Sequence, residues 1–300
     1  MSANSCSFLT VARQGRSSWK RYLASFSIIF IILYSLIFIL GILDAAWAGI
    51  PFGLDSLERT FYESGPQKML LLLAVVSIGL LIGLGIVVPL IHRRNFLTLI
   101  SADTSIRWQR IAHGFVGFFG LWAINVTVLA IIYPQRYVWT FNWSDWWPFS
   151  LWSAMALLIQ GTALVFFYGY SLQAFGGLIR QPVLMSAVWS VSLGLLSLIG
   201  NQTLGFEWVV RTVYGWLLVW LVLKDDRLEL AIGIFAAIAM MAWIIGGAPS
   251  SWMQFPGFFK FADPAADTIG QLGALLRYCL FLYPICFGWS SRPFSLTADR

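Results

Sequence analysis

Residues 157–178 read LLIQGTALVFFYGYSLQAFGGL. The stretch holds no Asp, Glu, His, Lys or Arg and closes on the Gly176-Gly177 pair. An uncharged run of this length, rising about 1.5 Å per residue, crosses a hydrocarbon core of about 30 Å, so it predicts a membrane-depth helix. The rest of the chain has the same character. Hydrophobic residues make up 59% of its 300 positions and charged residues 11%, with a mean hydropathy of +0.78. Soluble domains carry about 25% charged residues, so the composition predicts an all-α polytopic membrane protein.

Working outward from this helix, about eight stretches meet the requirement of roughly 20 mostly apolar residues. They are 22–43, 68–91, 108–132, 149–175, 183–200, 207–223, 228–246 and 270–289. These form one transmembrane domain over 22–289, with a basic tail at 1–21 and a C-terminal tail at 290–300. Tyr22 to Leu43 is expected to be a retained span, because no cleavage-like site follows it. Cys6 lies in the tail, while Cys279 and Cys286 are seven apart on one expected helix, about 10 Å and too far for a disulfide. All three read as packing residues.

The net charge of +6 does not indicate nucleic acid, because the basic residues sit beside spans and mark orientation. Of the 19 lysines and arginines, Arg59, Lys68, Arg136, Arg211 and Lys260 fall in outer segments and Arg277 falls inside the last span. The other thirteen lie on the inner side, so both termini are expected to be cytoplasmic. Outer segments are aromatic instead. Trp139, Trp143, Trp146, Trp147 and Trp152 read as a headgroup-level belt, with a contact surface for a pigment or partner as the sharper alternative. Residues 252–261 read as a segment lying in the interface.

Ionisable residues at membrane depth mark function by default, and they are nearly absent. Arg277 alone lies well inside a span, whereas Asp44, Glu207, Arg211 and Glu229 sit at span ends where water is expected to be close. His113 reads as a packing histidine, with a ligand for a metal or chlorophyll as the alternative, and His92, beside Arg93 and Arg94, as a solvated loop residue. Catalytic zinc takes three protein ligands, and no span presents even two at i, i+4. Ser186, Ser190, Ser192 and Ser197 have no neighbouring base and read as small residues that let helices approach. No metal site or cofactor is predicted.

Three stretches nevertheless carry a pattern. Residues 163–173 read ALVFFYGYSLQ, residues 186–194 begin Ser-Ala and run to Gly194, and residues 227–239 read RLELAIGIFAAIA. The set resembles the CPBP family, bacterial membrane proteins related to the CAAX prenyl endopeptidase. That family's first motif, E-E-x-x-x-R-G-Y-x-L-Q, aligns Ala163 and Leu164 with the glutamates and Tyr168 with the arginine. Its second, F-x-x-x-H, aligns Ser190 with the phenylalanine and Gly194 with the histidine. Its third aligns Phe235 with a histidine, and Ile238 and Ala239 with asparagines. The WKRYL stretch at 19–23 and the HRRNFLTLI stretch at 92–100 look like cyanobacterial members.

The resemblance implies a CPBP/CAAX-protease-like helical bundle over most of residues 8–245. In the family the glutamates and histidines activate water for peptide hydrolysis, and here every one of those positions is non-ionising or a tyrosine. It therefore implies the fold without the activity. The expected role is a pseudoprotease: a binding or scaffold subunit, or an assembly factor, holding membrane proteins or lipids at a cavity filled or lined by Leu164, Phe167, Tyr168, Ser190, Gly194 and Phe235. By the same analogy the membrane is the plasma or thylakoid membrane, with a photosynthetic complex as partner and chlorophyll or carotenoid as a candidate ligand. Two alternatives stay open. One is a residual protease using Glu207 or Glu229; the other is a transporter or channel using Asn125, Thr127, Gln160, Thr162, Gln173 and Arg277.

Overall fold

The computed structural model describes residues 7–11, 18–49, 53, 66–179, 181–196, 207–244, 258–261 and 284. Seven helices follow a single helical turn at Ser7–Thr10: α1 Trp19–Ala48, α2 Pro66–Leu90, α3 Trp108–Ile132, α4 Trp143–Leu178, α5 Pro182–Leu196, α6 Glu207–Asp225 and α7 Glu229–Ile244. Local sequence explains several ends. Ser18 caps α1 by accepting from the Arg21 amide, and Gly49 stops it with a left-handed φ of 67°. Asn142 caps α4 by accepting from the Ser144 amide at 3.2 Å.

Seven of the eight expected spans therefore fall on helices, and the eighth, 270–289, lies outside the described residues apart from position 284. Eight full spans is nevertheless a correction. Among the described residues four helices, α1 to α4, are long and apolar enough to cross a membrane. α5 and α7 have 15 and 16 residues, about 22–24 Å of helix, short of a 30 Å core. α6 has 19 residues but carries Glu207, Arg211, Lys224 and Asp225. The chain is an all-α membrane protein apart from one small sheet, which the sequence reading missed: Tyr137–Trp139 (β1) pairs antiparallel with Phe259–Phe261 (β2).

α4 is the central helix. It packs on α1, α2, α5 and α7, and on the Ser7–Thr10 turn. α3 lies against α7, and α6 against α5. Glycine sets the closest approach: a Cβ at Gly233 of α7 would sit 2.7 Å from the Phe115 nitrogen and collide with the Ile111 carbonyl on α3. Gly114 meets the Leu230 backbone in the same way from the other side. Backbones this close gain dispersion contacts that need no water to be expelled, which suits helices in lipid.

The basic segments gather at one end. Ser101 bridges Arg227, Leu228 donates to the Ile100 carbonyl at 2.9 Å, Arg110 pairs with Asp225, and the Phe8 amide donates to Asp226 at 2.7 Å. Within the expected tail, residues 7–11 are thus docked on the bundle, with Phe8 and Val11 fully buried. The aromatic segments gather elsewhere: Phe141 stacks on Phe258 at 4.7 Å beside Trp143 and Trp146.

Candidate functional site

The three motif-bearing stretches meet in space. Tyr168 of α4 packs edge-on against Trp189 of α5 at 5.2 Å and tilts against Phe235 of α7 at 5.7 Å. Trp189 donates its indole N–H to Ser171 Oγ at 2.8 Å, which fixes the ring between α4 and α5. Beneath these aromatics lies a cavity of about 20 Å³, walled by Val165, Gly169 and Leu172 of α4, Leu218, Val219 and Val222 of α6, and Leu228 and Ala231 at α7. By the same measure a single water needs about 10–15 Å³ and two or more polar partners. The space is about one water large and its walls are mostly apolar, which offers a water few partners.

Not every expected residue reaches this cavity. Tyr168 and Phe235 line it. Ala163 is fully buried in the core, Leu164 and Phe167 are half-buried, and Phe167 meets Phe26 of α1 at 5.9 Å. Ser190 is buried and donates to the Ser186 carbonyl at 2.7 Å. Gly194 is also buried, and a Cβ there would overlap the Thr212 hydroxyl, so this glycine lets α5 approach α6. Ile238 packs on the core, and the side chain of Ala239 lies outside the described residues. Of the six residues expected to fill or line a cavity, Tyr168 and Phe235 line this one, together with the aliphatic wall.

The span-end carboxylate Glu229 is not near water. It is fully buried and accepts from Arg227 Nε at 2.9 Å, Arg227 Nη2 at 3.0 Å and the Arg107 amide at 3.1 Å. Arg227 also holds Asp103 at 2.8 Å, so the three tie the 101–107 loop to the start of α7. Burial alone would lower the Arg227 pKa, but the bonds to Glu229 and Asp103 outweigh it and raise it. The Arg227 bond in turn holds the Asp103 carboxyl well below the ordinary carboxylate range. Glu207 and Arg277 have side chains outside the described residues. Thr127 and Thr162 donate locally, to the Ala123 and Leu158 carbonyls, whereas Gln173 donates across the bundle to the Phe8 and Thr98 carbonyls.

A second cluster escaped the sequence reading altogether. His92 is 1% exposed, with Nε2 2.9 Å from the Tyr170 hydroxyl and 3.2 Å from Ser25 Oγ. Tyr22 tilts over the imidazole at 4.5 Å. The expectation of a solvated loop histidine is corrected: Arg93 takes a left-handed φ of 52° and points outward, turning His92 and Arg94 into the protein. Arg94 is 8% exposed, and none of its three side-chain nitrogens has a hydrogen-bond partner among the described residues. Burial lowers its pKa, with partial compensation from nearby tyrosines. Among the described residues no three His, Cys, Asp or Glu side chains gather to hold a metal ion.

No protein-family model matches the chain, and no solved structure matches it. It is similar to the uncharacterized protein YyaK of Bacillus subtilis (strain 168), with 26% identity over 204 residues, 62% of this chain and 67% of that one.

Proposed function

We propose that this chain is a non-catalytic, CPBP-like membrane protein that works by holding another membrane component, as a scaffold subunit or assembly factor. One observation carries the reading: Tyr168, Trp189 and Phe235, from the three motif-bearing stretches, converge on a small cavity whose walls hold no carboxylate, imidazole or amine. General acid-base hydrolysis needs an ionisable group within reach of the attacked bond. Here the motif positions supply packing, and the buried carboxylate Glu229 is spent on Arg227 and the Arg107 amide. Cytoplasmic termini fit the gathering of the basic segments at one end of the bundle.

A cavity of about 20 Å³ gives no support to a chlorophyll or carotenoid at this site, so the occupant is expected on the outer helix faces instead. The test is photo-crosslinking in native membranes from two positions. A cross-linker at Leu164, half-buried at the motif, and one at Ile31, 64% exposed on α1, are compared. A scaffold role predicts a defined membrane-protein adduct from one position and intact partner chains. Adducts that resolve into cleaved peptides would instead favour a residual protease.

A further inference from the structure

Among the described residues Arg94 is a charge without a counter-charge. It follows α2, it is more than nine-tenths buried, and all of its donors are unused. A guanidinium stays protonated in proteins, so neutralisation is not an escape. The carboxylates described at this end of the bundle are committed elsewhere: Asp103 and Glu229 to Arg227, Asp225 to Arg110, and Asp226 to the Phe8 amide. Beside Arg94 the Tyr22 hydroxyl is also buried without a partner, and the two interact electrostatically. Neighbouring buried donors that lack an acceptor are the complement of an oxyanion.

The setting points to the same chemistry. Lys20 is exposed on the first turn of α1 next to Trp19, which is 59% exposed, and Arg93 points outward from the turn after α2. Such basic and aromatic residues at span ends lie at headgroup level, where phosphate is the abundant anion. His92, held between Tyr170 and Ser25, gives the turn a rigid floor. We propose that Arg94 and Tyr22, supported by His92, Tyr170 and Ser25, form a binding site for one phosphate group, the chemistry shared by phospholipid headgroups and free phosphate. The guanidinium nitrogens are covered by protein, so a phosphate reaches them only if part of that cover moves.

The experiment is thermal unfolding of the full chain in zwitterionic detergent, titrated in one arm with inorganic phosphate and in the other with a short-chain phosphatidylglycerol. A rise in the midpoint with phosphate assigns free phosphate, and a rise with phosphatidylglycerol alone assigns a lipid headgroup. Either outcome supports the site only if Arg94→Gln weakens the response by about tenfold or more, as expected for losing charge-assisted hydrogen bonds. Tyr22→Phe, which keeps the ring, is expected to weaken it by a few-fold and serves if Arg94→Gln does not fold. No shift with either anion, or an unchanged response in both variants, would overturn the proposal.

Discussion

Two buried regions flank the central helix, and they are built on opposite terms. Around Tyr168, Trp189 and Phe235 the chain keeps the frame of a motif and fills it with rings and aliphatic walls. Around His92, Arg94, Tyr22 and Tyr170 the resemblance reaches only flanking letters and the Tyr170 of the first motif, none of them a catalytic position, and the chain buries a cation and a shared imidazole. The first region is satisfied as it stands, because apolar surfaces ask only for contact. The second is not, because a buried charge needs a partner. Sequence resemblance thus points to where the architecture is kept, and unmet polar groups point to where a ligand is wanted.

Substitutions should separate the two regions by sign as well as size. The largest effect is expected at the ion pair that anchors both ends of the 101–107 loop: Glu229→Gln leaves the buried Arg227 with Asp103 as its one described counter-charge, beside its bonds to Ser105, at a cost of about 3 kcal/mol. The measurement is the unfolding midpoint in detergent, and a neutral result would restore Glu229 as a candidate for chemistry. Phe235→Ala is expected next, a loss of about 2 kcal/mol with an enlarged cavity, since its ring is only half-buried. At the other region the sign reverses. Arg94→Met, measured without added phosphate or anionic lipid, should stabilise the protein by about 1–2 kcal/mol, because an unpaired buried charge is replaced by a flexible apolar chain. Destabilisation there would mean that Arg94 has a partner in the folded chain and would remove the contrast.

Smaller effects refine the account. Tyr170→Phe removes one of the two hydroxyls on His92 Nε2 and should cost about 1 kcal/mol. Asp103 offers a pH test. Its carboxyl is held below its ordinary value by Arg227, so its contribution is complete above about pH 4 and is lost as the pH falls below that range toward the folded value. Because Asp103 is nearly half exposed, the effect is expected to stay under about 1 kcal/mol. A thermal-stability profile from pH 5 to pH 2 should flatten in Asp103→Asn.

Much of the helical plan was legible. The run at 157–178 lies inside α4, and the expected span at 108–132 coincides with α3, because unbroken apolar length is a local property. The number of full spans was not legible in the same way. At 183–200 and 228–246 the apolar letters continue, but the described helices there have 15 and 16 residues. The sites were harder still. Tyr168 and Phe235 were readable through motif spacing, whereas Glu229 meets the Arg107 amide across 122 positions and His92 meets Tyr170 across 78. Nothing near those residues in sequence signals a partner so distant. His92-Arg93-Arg94 after an apolar run looks like an orientation signal, and only the left-handed turn at Arg93 reveals that two of the three face inward.

The most direct measurement is peptide hydrolysis by the purified chain, using prenylated and transmembrane peptide substrates with product detection by mass spectrometry. The expected result is no cleavage above a protein-free control, in the wild type and in Glu229→Gln alike. Cleavage by the wild type that disappears in a folded Glu229→Gln variant would contradict the non-catalytic reading.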